Sequence, residues 1–294
     1  MSDKPATDPT LPVQTPPWPV RARRIAWRII RLPLLAYVCI LVLAMWFENA
    51  LIYFPSPYPE GDWNPIALPI EEAHFQAADG TRLHGWFVPV ENPSAVMLFC
   101  HGNAGNITHR ADLLRAMHRS VGTSVLAFDY RGYGRSEGTP TEEGVLQDAR
   151  AARAWLAARA GVAEQDIVLM GESLGGAVAV DLAAHDGARG LVLENSFTSL
   201  PDMAAYHYPW LPVRQLMSGR LDSLAKIDQF RGPLLMGHGD ADTIVPLRYA
   251  ERLFAAANEP KQFVTHPGAN HNDPRPGDFY VELKAFLDKL PATR

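Results

Sequence analysis

From Leu32 to Phe47 the chain runs without a charged residue: Leu-Pro-Leu-Leu-Ala-Tyr-Val-Cys-Ile-Leu-Val-Leu-Ala-Met-Trp-Phe. A helix that spans a bilayer needs about 20 apolar residues. Ile29 and Ile30 lengthen the run upstream if Arg31 snorkels, and Ala50–Phe54 lengthens it downstream, past Glu48. Arg21, Arg23, Arg24, Arg28 and Arg31 lie on the N-terminal side, which places that side in the cytoplasm. The pattern predicts a membrane anchor over 25–54. The N-terminus is then cytoplasmic and the bulk of the chain lies on the other side, periplasmic if the cell is bacterial. Trp46 and Tyr53 suit the far interface. A helix lying in the interface tolerates the same short run and basic flank. A buried core helix and a cleaved signal are the remaining readings, although Ala44-Met-Trp is a poor cleavage site. Six prolines among the first 20 residues disfavour helix and strand, so 1–24 reads as a disordered tail.

Beyond Pro55 the period changes. Short β-rich runs cover Ala73–Ala77, Arg82–Pro89, Ala95–His101, Ser124–Asp129, Asp166–Gly171, Gly190–Glu194, Pro233–Gly239 and Lys261–His266. Val96-Met-Leu-Phe-Cys, Ile167-Val-Leu-Met and Pro233-Leu-Leu-Met are continuously apolar, the mark of strands buried on both faces. Arg82–Pro89 partly alternates and follows the turn signal Asp79-Gly80, so it belongs to an early antiparallel hairpin. Helical patterns fill Ile107–Arg119, Glu142–Arg159, Leu174–His185, Leu247–Ala257 and Asp278–Leu290. The order predicts one α/β domain over 55–294, a mostly parallel eight-stranded sheet with helices on both faces. The stretch 197–226 breaks the rhythm with Pro201, Pro209, Pro212, Tyr206, Tyr208 and Trp210. It reads as an insertion that covers a site as a short lid, or as packed irregular structure.

Composition adds exclusions. Of 294 residues, 47% are apolar and 20% charged, and the net charge of −5 is spread along the chain, so no basic tract points to nucleic acid. Cys39 and Cys100 fall in separate elements, so no disulfide is expected, and two thiols cannot form a Cys-rich zinc site.

The chemistry is concentrated at Gly171-Glu-Ser-Leu-Gly175, a G-x-S-x-G between an apolar strand and a helix. There the strand turns sharply into the helix, with Ser173 at the tip and free helix N–H groups beneath it. The alternative is a serine that merely caps a helix. A serine hydroxyl needs a base. His271 is the best placed, in a glycine-containing loop after the last strand. His266 ends that strand, and His238 lies inside the strand before it. The orienting acid belongs after Pro233–Gly239, where Asp240 and Asp242 both stand; Asp240 is at the turn, Asp242 further out. Backbone N–H groups of Leu174 and of Asn103, in His101-Gly-Asn-Ala-Gly-Asn106, are placed to receive a developing oxyanion. That loop lacks the Lys-Ser/Thr ending of a phosphate loop, and Asp129-Tyr-Arg-Gly-Tyr-Gly-Arg-Ser136 is not a dinucleotide fingerprint but a loop shaping the pocket rim.

Taken together, His101-Gly-Asn-Ala, Asp129-Tyr-Arg-Gly-Tyr-Gly-Arg-Ser, Gly171-Glu-Ser-Leu-Gly-Gly, His238-Gly-Asp-Ala-Asp-Thr-Ile-Val-Pro and His271-Asn-Asp resemble the membrane-anchored α/β-hydrolase-domain proteins and their bacterial relatives of the serine aminopeptidase-like group. The resemblance runs from about Ala50, through Leu51-Ile-Tyr-Phe-Pro55, to His271. It implies the α/β-hydrolase fold, selects Asp242 as the acid, and supports the oxyanion roles of Asn103 and Leu174. The expectation is a membrane-held serine hydrolase acting on a small-molecule or lipid-like acyl ester or thioester, with peptidase activity less favoured. Its triad is Ser173, His271 and Asp242, and its chemistry calls for no metal or organic cofactor. An inactive tethered binding module and an acyltransferase are the alternatives on the same fold.

Overall fold

The computed structural model describes residues 20–292. Residues 1–19 of the expected tail lie outside the described residues.

The N-terminal unit ends at Trp46. Its described residues form one helix, α1 (Val20–Trp46), with Pro33 inside it. The helix therefore starts five residues earlier than the pattern suggests. Its stretch Trp27–Trp46 is long and apolar enough to cross a membrane. Leu34, Leu35, Val42 and Leu43 are all exposed along it. The expected anchor does not continue unbroken to Phe54. The chain breaks at Phe47 and resumes as a short helix, α2 (Glu48–Ile52), that belongs to the second unit. Tyr53 is a correction: it is buried in the core of the second unit, not placed at a membrane interface. Its ring packs with Tyr130 and Tyr133 in one apolar cluster, which outweighs the interfacial preference of tyrosine.

The second unit is built on an eight-stranded sheet. Its strands are β1 (Glu71–Gln76), β2 (Arg82–Val88), β3 (Val96–Cys100), β4 (Ser124–Asp129), β5 (Val168–Glu172), β6 (Gly190–Glu194), β7 (Leu234–Gly239) and β8 (Lys261–His266). In space they run β1-β2-β4-β3-β5-β6-β7-β8. β2 is antiparallel to both β1 and β4, and every other pairing is parallel. The unbroken apolar runs have a direct cause. Successive side chains alternate between two cores, so both parities must be apolar. Leu98, Cys100, Leu126 and Phe128 enter one core, and Met97, Phe99, Val125 and Ala127 enter the other. Each fully buried Leu or Phe contributes about 1.5–3 kcal/mol relative to exposure.

Three helices close the first core: α4 (Glu142–Ala160), α5 (Leu174–Asp186) and α8 (Leu247–Ala256). α3 (Ala111–Ala116) and α9 (Gly277–Asp288) close the second. The region 107–121 is not one regular helix. A 3₁₀ turn precedes α3, and a π turn follows it before Gly122 ends the run with φ 72°. Asn106 caps the first turn from its side chain. The 197–226 insertion holds α6 (Leu200–His207) and α7 (Val213–Leu216). Ser199 accepts from the N–H of Asp202 and starts α6, and Tyr208-Pro209 ends it.

Candidate active site

β5 delivers Glu172 and then Ser173, which sits at φ 52° and ψ −116° just before α5. A serine in this left-handed region is strained, and such strain persists only where the surroundings over-determine it. The flanking glycines show what over-determines it. A Cβ on Gly171 would lie 2.2 Å from the Gly175 carbonyl oxygen, and one on Gly175 would lie 2.0 Å from the Cys100 carbonyl oxygen. The turn closes so tightly that α5 rests on the end of β3. Ser173→Gly is expected to stabilise the domain by about 1 kcal/mol while removing the hydroxyl. A thermal melt should then rise by about 2–4 °C, whereas a melt that falls would show that the turn is unstrained.

The structure brings Ser173, His271 and Asp242 together. His271 Nε2 lies 3.0 Å from Ser173 Oγ, and His271 Nδ1 lies 2.7 Å from Asp242 Oδ2. The other carboxylate oxygen of Asp242 accepts from the N–H groups of Ile244 (2.9 Å) and Val245 (2.7 Å). Burial pushes the Asp242 carboxyl up, but the bond to His271 and the Val245 amide outweigh it and hold it below the usual carboxylate range. It is therefore an anion, acceptor-only, and fixes the proton of His271 on Nδ1 so that Nε2 faces the serine.

The alternatives raised by the sequence are occupied elsewhere. Asp240 is exposed, and its carboxylate accepts from the Gly268 N–H at 2.6 Å. His266 lies 3.2 Å from Glu194, and His238 donates to the Val245 carbonyl at 2.8 Å. Burial keeps His238 neutral and below its ordinary range.

Leu174 follows the serine directly, and Asn103 lies in the loop after β3. As the first residue of α5, Leu174 has an N–H with no acceptor in its own helix. Gly102 packs against the elbow so closely that an added Cβ would stand 3.6 Å from Ser173 Cβ. The Asn103 side chain is fully committed to structure. Its Oδ1 accepts from Tyr133 Oη at 3.0 Å and from the Phe54 N–H at 3.2 Å, and its Nδ2 donates to the Ile52 carbonyl. Phe54–Pro55 also pairs in parallel with Ala104–Gly105. The Leu51-Ile-Tyr-Phe-Pro55 segment is thus the brace of this loop, and the Tyr133 loop supports it from the other side.

Two contributors were not visible in the sequence. Asn195, just past β6 with φ 48°, donates from Nδ2 to the His271 carbonyl at 2.9 Å and accepts at Oδ1 from the Gly239 N–H at 3.2 Å. It ties the His271 loop to the strand that leads to Asp242. Its position at a strand's carboxyl end was the one available signal. The second is a buried charge chain beneath the elbow. Arg275 donates to Glu172 at 2.7 Å and lies 3.6 Å from Glu194. Beside it is a cleft of about 580 Å³, lined by Gly105, Arg110, Glu172, Asn195, His271 and Tyr280. That volume is within the range that holds small ligands.

Two groups, His101 fully buried and Glu172 partly so, make the fold acid-sensitive in overlapping windows that open at different pH. Burial, with Arg110 nearby, pulls His101 from 6.5 down to about 3. Burial would raise Glu172, but Arg275 and Arg110 overcome it and bring its carboxyl from 4.5 down to about 2. Both folded values lie below the unfolded ones. Each contribution is therefore full above the ordinary value and is lost as the pH falls through the folded one. Thermal melts should weaken as the pH drops below 6.5 and steepen below 4.5. Glu172→Gln should lower stability at neutral pH and flatten the second steepening, the rest of which belongs to the other depressed carboxyls such as Asp242; an unchanged acid limb in that variant would contradict the assignment.

Away from the elbow, Glu72, His74 and His84 bring ligand atoms within 4.8 Å of one another on the β1–β2 hairpin. His84 already pairs with Glu72, and Arg135 lies 3.4 Å from the same carboxylate, so its charge is already compensated.

Comparison with known proteins agrees with this architecture. Residues 91–226 match a family model described as serine aminopeptidase, S33. An uncharacterized protein of Mycobacterium tuberculosis is 42% identical over 269 residues, covering 89% of this chain and 95% of that one. An α/β-hydrolase domain-containing protein of Arabidopsis thaliana, WAV2, is 35% identical and covers 77% of this chain and 82% of its own. Among solved structures, an esterase of Pyrococcus furiosus superposes with a TM-score of 0.66 at 20% identity, covering 81% of this chain and 98% of that one. At that identity the likeness is one of fold.

Proposed function

The chain belongs to the α/β-hydrolase-domain family and is a hydrolase of that superfamily; from this premise we propose that it is a serine esterase or thioesterase working through an acyl-enzyme on Ser173. The observation that carries the reading is the unbroken chain Ser173 Oγ–His271–Asp242, at 3.0 Å and 2.7 Å.

In this reading His271 Nε2 takes the hydroxyl proton as Ser173 Oγ attacks the acyl carbon. The carbonyl electron pair moves onto oxygen, facing the amides of Asn103 and Leu174. The tetrahedral intermediate collapses, and the leaving oxygen or sulfur takes the proton from His271. A water enters and gives its proton to His271, and its oxygen attacks the acyl carbon. Release of the acid restores Ser173 Oγ–H. Asp242 remains ionised throughout and stabilises the imidazolium. No step calls for a metal or an organic cofactor.

The arginines before the apolar stretch of α1 support an orientation with the N-terminus cytoplasmic and the hydrolase domain across the membrane.

A panel of esters and thioesters of graded acyl length, given to the purified full chain, tests the reaction class. Release of free acid from at least one member, with a burst equal to the enzyme present, is the expected result. Transfer of the acyl group to an added alcohol in place of acid release would make the protein an acyltransferase instead. No turnover on the whole panel by folded protein would favour an inactive module.

A further inference from the structure

We propose that the 197–226 insertion is a bilayer-docking surface, seated on lipid through Tyr206, Tyr208 and Trp210, and that it admits membrane-borne acyl substrates to Ser173. The proposal deepens the hydrolase reading and rests on it for the substrate class; the docking itself rests on α1 crossing the bilayer.

Chain connectivity fixes one end of the insertion near the membrane. The apolar stretch of α1 closes at Trp46, and Glu48 opens α2 two positions later. Two residues reach at most about 7 Å, so Glu48 cannot leave the neighbourhood of the helix end. Its carboxylate grips the insertion: Oε2 accepts from the Ser218 N–H at 3.1 Å and hydroxyl at 2.9 Å, and Oε1 accepts from the Gly219 N–H at 2.7 Å. A second carboxylate, Glu142, accepts from the N–H groups of Arg220 and Leu221, the latter at 3.0 Å. Four consecutive residues of the insertion are thereby bound to acids, one of which sits at the end of the apolar helix.

The other end touches the catalytic loop. His207 Nε2 donates to the Ile244 carbonyl at 2.9 Å, and the Ile244 N–H donates to Asp242. Between the two ends the surface is aromatic. Tyr206, Tyr208 and Trp210 are 38%, 52% and 57% exposed, and Ile244, whose N–H donates to Asp242, is 43% exposed. Phe47, Leu51 and Phe54, flanking the Glu48 grip, are exposed as well. Tyrosine and tryptophan favour the headgroup level, where an apolar ring meets lipid and a polar tip meets water. Arg248 stands 4.9 Å from the Tyr206 ring, and Arg220 is exposed on the insertion, cations suited to lipid phosphates, whereas Arg214 is paired with Asp202. A protein partner could also cover an aromatic patch. The bilayer is the occupant argued here because the Glu48 grip puts it within reach without any further association.

The full chain in phosphatidylcholine nanodiscs provides the test. Cys39→Ser removes the exposed thiol, and Cys100 is fully buried with its thiol pushed up to about 12, so it stays unlabelled. Bimane is attached through Trp210→Cys and, as a control, through Glu91→Cys, an exposed site before β3 at the opposite end of the sheet. Nitroxide-bearing lipid should quench the label at 210 at least about twofold while aqueous iodide barely reaches it, and the control should show the reverse. Equal iodide quenching at both sites, with none from lipid, overturns the docking and returns the patch to a protein partner. In the second arm, Tyr208→Ser/Trp210→Ser should slow hydrolysis of a long-chain ester held in vesicles by about tenfold or more, and of a water-soluble short ester by under about twofold. Equal losses on both esters overturn the admission of membrane-borne substrate. If neither ester is turned over by the unmodified chain, the hydrolase reading fails, while the quenching arm still decides the docking.

Discussion

Ser173→Ala is expected to cut kcat by about 10⁶-fold on any ester the protein turns over, the scale reached when the nucleophile of such a unit is lost. The residue is only partly buried, and its side chain makes one polar contact that matters here, to His271 Nε2 at 3.0 Å. Alanine adopts the same backbone at a cost similar to that of serine, so the fold should survive with a melting temperature within a few degrees. What remains after the substitution is binding and the oxyanion donors, which together leave about 10³–10⁴-fold over water. The loss should fall on kcat and leave KM nearly unchanged, because the hydroxyl is used in the transition state and not in holding the ground state. Active-site titration beside steady-state rates reads this directly. An alanine variant that retains more than about 1% of kcat would require another nucleophile.

Asp242→Asn is expected to lower kcat by about 10⁴-fold. An amide can donate from nitrogen where the carboxylate only accepts, so the His271 proton is no longer fixed on Nδ1. The imidazolium also loses its 2.7 Å counter-charge. The substitution is nearly isosteric, and its other acceptor contacts, to the Ile244 and Val245 amides, can be kept by the amide oxygen. Asp240→Asn is the built-in comparison. That carboxylate braces Gly268 at the surface, and its loss should change kcat by under about twofold. Rates of the two variants, measured together across pH, separate the roles; equal losses would contradict the assignment of the acid.

Local pattern made the scaffold legible. Ser124–Asp129 and Gly190–Glu194 begin and end where the pattern places them, because strands paired on both sides have no freedom to drift in register; Lys261–His266 does so as an edge strand with a partner on one side only. The elbow was legible for a similar reason: two glycines and a serine between strand and helix answer to one steric problem. Long-range contacts were not legible. Nothing near Asn195 announces that its amide will meet the His271 carbonyl 76 positions later. Tyr53 reads as an interfacial aromatic until the sheet supplies Tyr130 and Tyr133 beside it. The 107–121 region carries a helical period, but Asn106, the π turn and Gly122 divide it, and period alone does not register hydrogen-bond type. The spacing of Asp240 and Asp242 gave the second only a small lead, and the resemblance had to select it. The choice follows from backbone amides: Ile244 and Val245 turn Asp242 inward, while Gly268 holds Asp240 at the surface.

The most direct measurement is peptide mapping by mass spectrometry after a fluorophosphonate is added to the folded full chain. One adduct per chain on Ser173, absent from Ser173→Ala and strongly slowed in His271→Ala, is the predicted outcome. A folded chain that takes no adduct, or takes it on another serine, would contradict the central claim.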